Sequence, residues 1–179
     1  STYVSNAVAA AKRKRDSQIL AAFFADAKTG KTGSETTSFL ASQVVAVNHG
    51  ASANVGLTVA KLIEAKEILM ANEVDLESDP IYCAVTAKQH SNLLAEMQII
   101  SMDFNDKPVL VGGKVTEFLG IKFVNSELLG IDGSSYRRVP MWAKSGMYLG
   151  IWEDMKTNIS KRDDLTGQPW QAYLKQTIG

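Results

Sequence analysis

The clearest chemical pattern in the chain is Ala25-Asp26-Ala27-Lys28-Thr29-Gly30-Lys31-Thr32, which fits a loose phosphate-binding loop with Ala in place of the first Gly. Such a loop follows a buried strand and opens a helix, so that backbone N–H groups and the helix dipole meet the phosphates. Here a long helical pattern precedes the motif and a Ser/Thr-rich segment follows it. We therefore favour a glycine that ends a helix, with lysines near its C-terminus, over nucleotide binding.

Histidine and cysteine offer little further chemistry. His49 and His90 are far apart and lie in no metal-binding motif, and Cys83 lies inside an apolar run. The cysteine is therefore expected to be a small core residue. No catalytic residue, metal ligand or cofactor is expected.

Paired charges are the remaining candidates. Glu153-Asp154 and Asp163-Asp164 have the composition of carboxylate dyads or divalent-cation sites, but both lie beside turns and basic residues. We favour the interpretation that these carboxylates are solvated charges at turns or partners in salt bridges, and the same interpretation is favoured for Arg137-Arg138. The three tryptophans, Trp142, Trp152 and Trp170, are expected in the core, with an intersubunit anchor as the alternative.

A long helix is predicted over residues 3 to 26, because Val4, Ala7, Val8 and Ala11 follow helical spacing without Gly or Pro. Its middle, Lys12 to Gln18, is polar and basic, and Arg15 falls on the apolar stripe. We weigh three interpretations of this middle: a solvated helix centre, a surface that faces another subunit, and a basic patch for nucleic acid.

The later segments predict a mixed α+β chain. Residues 27 to 56 are expected to be a long loop with a strand at 44 to 47, and Thr58 is expected to cap a helix that runs to Val74. A capping box at Thr86 to Gln89 opens a third helix after a buried strand at 80 to 85. The other strand candidates are Val109–Val111, Gly120–Val124, Val139–Trp142, Met147–Trp152, Thr157–Lys161 and Trp170–Thr177. Met155 to Lys161 and Trp170 to Ile178 alternate loosely and are candidates to pair as a hairpin around residues 163 to 169.

Composition excludes several classes of protein. The 179 residues carry 19 basic and 19 acidic side chains, so the net charge is 19 − 19 = 0, and 45% of the residues are hydrophobic. A disordered chain would have lower hydrophobicity and a higher net charge, and a dedicated nucleic-acid binder would have an excess of basic residues. One cysteine excludes an internal disulfide, and no apolar run approaches the roughly 18 residues of a membrane span.

The order of segments resembles a known family. The polar helix middle leads to Arg15-Asp16-Ser17-Gln18-Ile19, a glycine-rich stretch covers 28 to 33, and Leu57 to Leu62 opens the next helix. The strand and cap at 81 to 89, the strand at 120 to 124 and the tail at 152 to 164 follow in turn. This ordered set resembles the major capsid protein of tailed bacteriophages, with the Hong Kong 97-type fold.

The resemblance implies a structural protein without catalytic residues. It implies a peripheral domain of residues 1–49 and 155–179, with a long spine helix and a C-terminal β-ribbon, and an axial domain of residues 50–154 with mixed helices and strands. The implied intersubunit contacts are Lys12, Arg13, Arg15, Arg137, Arg138, Asp163 and Asp164.

The implied partners are other copies of the chain, which form pentamers and hexamers of an icosahedral head. A scaffolding protein, a portal and packaged DNA without sequence-specific contacts are further expected partners, and no membrane is expected. The implied location is the virion, after assembly in the bacterial host cytoplasm. The family's N-terminal arm and extended loop have no counterpart here, so the sequence is expected to be a core fragment. The alternatives are a nanocompartment shell protein of the same fold and a nucleotide-binding enzyme built on residues 25 to 32.

Overall fold

The fold was analysed in a computed structural model that describes residues 2–96, 99 and 110–178. Contacts within the chain define two units, Ser1–Ile19 with Tyr148–Gly179 and Leu20–Met147. Helices and strands mix along the chain, which agrees with the predicted α+β class. The elements are α1 (Thr2–Ala22), β1 (Ala27–Thr29), β2 (Glu35–Thr37), α2 (Val59–Ala71), β3 (Ile81–Val85), α3 (Ala87–Leu94), β4 (Leu110–Val111), β5 (Lys114–Val115), β6 (Glu117–Phe118), β7 (Ile121–Asn125), β8 (Met141–Ala143), β9 (Ile151–Lys161) and β10 (Trp170–Ile178).

Helix α1 ends at Ala22, so the predicted end at residue 26 was wrong. The N–H groups of Phe24 and Ala25 donate to carbonyls three residues back, which tightens the last turn and closes the helix. The Phe23 ring packs against Trp142, with ring centroids 4.6 Å apart. Tertiary packing of the aromatic pair therefore overrides the helical pattern that continues in the sequence.

A short hairpin follows α1, where the sequence predicted a loop. Strands β1 and β2 pair antiparallel, and Gly30 and Gly33 in the connection have φ values of +81° and +65°. These left-handed conformations favour glycine, so Gly30 serves a hairpin rather than a helix end. The strand predicted at 44 to 47 is absent: residues 44–46 are irregular, a turn begins at Val47, and Val44 is exposed.

The second unit is built on a four-stranded sheet of order β6-β7-β3-β8. Strand β3 pairs parallel with β7 and antiparallel with β8, and four of its five side chains are buried. A central strand covered on both faces requires such a continuous apolar run. The buried core cluster comprises Val59, Leu62, Ile81, Cys83, Val85, Leu93, Ile99, Val115, Phe118 and Ile121.

Helices α2 and α3 begin where their caps were predicted. The Thr58 hydroxyl accepts from the Lys61 N–H at 3.4 Å, and Thr86 with Gln89 forms the capping box. Helix α2 ends at Ala71, three residues before the predicted Val74. The strands predicted at 120–124 and 139–142 are each shifted by one or two residues, and Val109 of the 109–111 candidate lies outside the described residues.

A lysine fixes the loop before α2. The Lys61 Nζ donates to the carbonyl oxygens of Val47, Val55 and Gly56, at 2.6, 2.7 and 2.9 Å. These three bonds use all three N–H donors of the ammonium group. Burial lowers the pKa of Lys61, because the charged form loses water. The polar loop is thus ordered by one side chain of α2.

The first unit combines most of α1 with the ribbon of β9 and β10. The two strands pair antiparallel from Lys161 opposite Trp170 to Ile151 opposite Ile178, with register shifts near Lys175 and Thr177. The predicted pairing of two strands around residues 163 to 169 is confirmed. The candidates Met147–Trp152 and Thr157–Lys161 belong to one strand that begins at Ile151.

Candidate functional site

The residues that sequence reasoning selected for enzyme chemistry do not form a catalytic site. Lys31 lies in the hairpin connection between β1 and β2, and no helix begins directly after it, so the geometry of a phosphate-binding loop is lacking. His90 Nε2 accepts from the Val115 N–H at 3.1 Å, while His49 Nε2 lies 3.8 Å from Glu64. Both histidines thus have local structural partners.

Cys83 and the acidic residues also lack a catalytic arrangement. Cys83 is buried in β3, and burial raises the pKa of its thiol to about 12, which keeps it protonated. Within the part of the chain that the structure describes, no cluster of three His, Cys, Asp or Glu side chains is placed to hold a metal ion. The helices of that same part include none long and apolar enough to cross a membrane.

The charged residues predicted at subunit contacts lie in both units. Lys12, Arg13 and Arg15 are on α1, and Asp163 and Asp164 lie in the β9–β10 turn of the same unit. Arg137 and Arg138 belong to the second unit.

Arg15 has partners within its own unit. It lies on the half-buried stripe of α1, and its guanidinium is 3.4 Å from the Asp154 carboxylate of β9. The Gln176 side chain of β10 also contacts Arg15. Its amide oxygen accepts a hydrogen bond from Arg15 Nε at 3.2 Å, in the amide orientation that its hydrogen-bond partners require. Arg15 therefore joins α1 to both strands of the ribbon.

The β9–β10 turn holds one paired and one unpaired carboxylate. Arg162 Nε donates to Asp164 at 2.6 Å, which lowers the pKa of Asp164 and raises that of Arg162. A second guanidinium nitrogen donates to Gln171 at 2.7 Å. Asp163 is exposed, and among the described residues no cation lies within ion-pair distance of its carboxylate.

Lys12, Arg13 and Lys14 are likewise exposed, and no carboxylate of the described residues lies within 4 Å of their charged nitrogens. In the second unit, Arg137 donates to the Leu129 carbonyl, and the Arg138 guanidinium lies 5.1 Å from the centroid of the Phe24 ring. The two arginines after the Gly133 turn thus have internal partners, whereas the basic segment of α1 has free charges.

The salt-bridge interpretation of Glu153 is confirmed, although the sequence did not identify Lys175 as a partner. Glu153 lies 2.8 Å from Lys175 and 3.0 Å from Lys156, on the face that these three side chains share. The hydrogen bonds from Lys175 and Lys156 lower the pKa of Glu153, and the same contact raises the pKa of Lys175. Sequence spacing does not show that Lys175 reaches Glu153, because the register pairs Lys175 with Lys156 and Thr177 with Glu153 and shifts between the two pairs.

The tryptophans divide between the two units. Trp142 is half-buried in the second unit, where it packs on Phe23 and Tyr82 and lies outside the buried core cluster. Trp152 and Trp170 are 92% and 73% exposed on the ribbon, so the core interpretation was wrong for both. A tryptophan side chain left in water forgoes a large hydrophobic gain. Their exposure is compatible with the alternative interpretation, an intersubunit anchor.

The helix next to the ribbon supports the same interpretation. None of the 21 residues of α1 is buried, although Val4, Ala7, Val8, Ala11 and Ile19 form a half-buried stripe. A two-stranded ribbon is itself marginal in water. The first unit therefore leaves apolar side chains of both α1 and the ribbon exposed or half-buried.

Two comparisons with known proteins each found a phage capsid protein. A family model described as phage capsid protein matches residues 1–179. No curated protein matches the chain. A solved structure, titled the capsid structure of the cyanophage P-SCSP1u, aligns with a TM-score of 0.61 at 16% sequence identity. The alignment covers 99% of this chain and 59% of that chain, and at this identity it shows the fold alone.

Proposed function

Because the chain belongs to the phage capsid protein family, we propose that it is the structural subunit that self-assembles through pentamers and hexamers into an icosahedral phage head. The family is structural rather than enzymatic. The observation that carries the assembly step is the exposure of Trp152 and Trp170 on a ribbon whose two described strands contain no buried residue. Burial of such side chains between copies supplies the free energy that holds a shell together.

The proposal assigns Hong Kong 97-type roles to the elements. Helix α1 is the spine helix, and β9 with β10 is the ribbon of a peripheral domain that comprises residues 1–49 and 155–179. Residues 50–154 are the axial domain, which includes the sheet of β6, β7, β3 and β8. The antiparallel ribbon and the 21-residue helix support these roles by their length and order.

We assign each charged residue a role in the subunit contacts according to whether its side chain has a partner within the described chain. Lys12 and Arg13 are exposed cations on α1, and Asp163 is an exposed anion in the β9–β10 turn. Arg15, Arg137, Arg138 and Asp164 have partners within the chain, so their proposed role is to hold the contact surface in shape. Exposed charges on complementary surfaces guide assembly more than they stabilise it.

The further partners follow from the same proposal. Copies of the chain are the first partner, and a scaffolding protein and a portal act during assembly in the bacterial host cytoplasm. The mature location is the virion capsid, which encloses packaged DNA by confinement without sequence-specific contacts. The net charge of zero suits close packing of many copies.

Expression of the complete reading frame tests this proposal. Negative-stain electron microscopy of the purified product is expected to show uniform closed shells tens of nanometres across. Shells purified from infected cells are expected to contain nuclease-protected phage DNA. Shells that enclose a host enzyme instead of nucleic acid would show a nanocompartment, and protein that stays monomeric even with its scaffold would contradict the proposal.

A further inference from the structure

In its distal half, the ribbon has one face that is mainly apolar, apart from Lys161 opposite Trp170, and one that is mainly polar, apart from Tyr173 opposite Asn158. Residues directly opposite each other in the register share a face, so Ile159 and Ala172 lie beside Trp170 on one side. Asn158, Ser160, Gln171 and Tyr173 lie on the other side. An antiparallel pair with such alternation covers its apolar face in the native assembly.

The burial of this face changes along the ribbon: its residues are half-buried at one end and exposed near the turn. Towards its other end, Leu174, Gln176 and Ile178 are half-buried, and Gln176 faces Arg15 of α1. Towards the turn, Ile159 and Trp170 are 54% and 73% exposed, and Ala172 is exposed as well. We name Ile159, Trp170 and Ala172 the bare ribbon patch. Nothing in the described part of the chain covers it.

Helix α1 offers a surface of matching chemistry. Its half-buried stripe occupies one side, so Ala9, Ala10 and Arg13 lie on the opposite side, and all three are exposed. We name these three residues the outer face of α1. The small alanines allow a large ring to approach the helix backbone closely, and Arg13 adds a positive charge at one end.

Charge and spacing make the two surfaces complementary. Asp163 follows Lys161, the residue opposite Trp170, by two positions, so its charge lies within about 7 Å of that pair along the ribbon. Arg13 follows Ala9 by four helical residues, about 6 Å along the helix axis. The two separations are similar, so a Trp170 ring placed on the alanines allows the free Asp163 carboxylate to approach the free Arg13 guanidinium.

We infer that the bare ribbon patch of one copy packs on the outer face of α1 of a second copy, with Asp163 facing Arg13. The inference rests on the proposed function, because only an assembly of copies presents both surfaces to each other. The two surfaces differ, so the contact is heterologous and passes from copy to copy, as closed rings require.

Cysteine cross-linking tests the contact in the full-length protein. Ala10→Cys with Ala172→Cys places one thiol on each surface, and Ala10→Cys with Asn158→Cys is the matched control on the polar face. Cys83 does not compete, since it is buried and its thiol pKa is raised to about 12. Under mild oxidation of assembled particles, most chains of the first variant are expected in covalent dimers and larger oligomers. The control is expected to stay monomeric on a non-reducing gel.

Charge reversals add an independent test. R13E and D163K are each expected to lower the cross-linking rate several-fold in the Ala10/Ala172 cysteine background, and the double reversal is expected to restore it. K31E, a reversal in the β1–β2 connection, is the control and is expected to have no effect. Equal rates in all four variants would overturn the assignment of Arg13 and Asp163.

The unmodified protein gives a test that needs no folding of a variant. Oxidative labelling read by mass spectrometry is expected to modify Trp170 several-fold less in particles than in dissociated subunits. Particles that form without cross-links or Trp170 protection would overturn this inference and leave the proposed function intact. Failure of the full-length protein to form particles at all would overturn both.

Discussion

Lys175 Nζ lies 2.8 Å from the Glu153 carboxylate, across the ribbon and beside the bulge in its register. Lys156 approaches the same carboxylate at 3.0 Å from within β9. One anion therefore bridges two cations on the polar face, at the place where the ladder of backbone pairs is irregular. The side chains thus reinforce the ribbon where backbone pairing is weakest.

This cluster predicts a pH dependence of stability. The hydrogen bonds from Lys175 and Lys156 lower the pKa of Glu153 from 4.5, so the folded state binds fewer protons than the unfolded state near that pH. The stabilisation is present above pH 4.5 and is lost as the pH falls through the lowered pKa of the folded state. E153Q is expected to melt at a lower temperature at pH 7 and to lose less on acidification. Thermal melts of unassembled protein across this range measure the effect.

D163N is the matched control for this pH dependence, because Asp163 is an exposed carboxylate without an ion-pair partner in the described chain. Its pH profile is expected to follow that of the wild type. A profile of E153Q that is indistinguishable from both would show that the cluster contributes no pH-dependent stability.

The three hydrogen bonds of Lys61 predict a large loss of stability when this one side chain is replaced. K61M keeps the length of the side chain but removes the donors to the carbonyls of Val47, Val55 and Gly56. We expect a loss of about 1–3 kcal/mol in the free energy of unfolding, since these carbonyls lose a charged donor. Urea denaturation measures this loss, and amide exchange across residues 47–56 locates it.

Lys66 of the same helix provides the comparison, because its Nζ donates to one carbonyl, that of Leu119, at 2.9 Å. K66M is expected to cost less than K61M. Equal costs for the two variants would argue against a special role of Lys61 in ordering the loop.

Neighbouring residues of α2 predict opposite outcomes. Leu62 is 1% exposed in the core, whereas Ile63 is 51% exposed on the other side of the helix. L62A is expected to cost about 2–5 kcal/mol through lost burial and a cavity. I63A is expected to remain within about 0.5 kcal/mol of the wild type. Similar costs in denaturant titrations would mean that α2 packs with a different face.

The segment from 25 to 32 predicts no response to nucleotide. Its residues form a hairpin instead of a strand–loop–helix site, so millimolar ATP or GTP is expected to leave the melting temperature unchanged. Lys31→Ala is expected to melt like the wild type with and without nucleotide. A shift of several degrees that Lys31→Ala abolishes would restore the enzyme alternative.

The sequence predicted elements whose signals are local. The caps at Thr58 and Thr86 were correct because a hydroxyl and the next turn of backbone suffice to make them. The end of α1 was wrong because it depends on the contact of Phe23 with Trp142, far away in the chain. Local patterns do not contain such contacts.

The candidate surface was predictable only in part. Arg15 was placed correctly on the apolar stripe by helical spacing, but its partner Asp154 could not be identified from the sequence. The exposure of Trp170 contradicts the default that large aromatics are buried. That default assumes a monomer, and a subunit of an assembly reserves apolar side chains for its neighbours.

Cryo-electron microscopy of particles assembled from the full-length protein tests the central claim most directly. The account predicts a closed icosahedral shell in which copies of this chain surround five-fold and six-fold positions. A particle in which this chain forms an open filament, or lies outside the shell as a minor component, would contradict it.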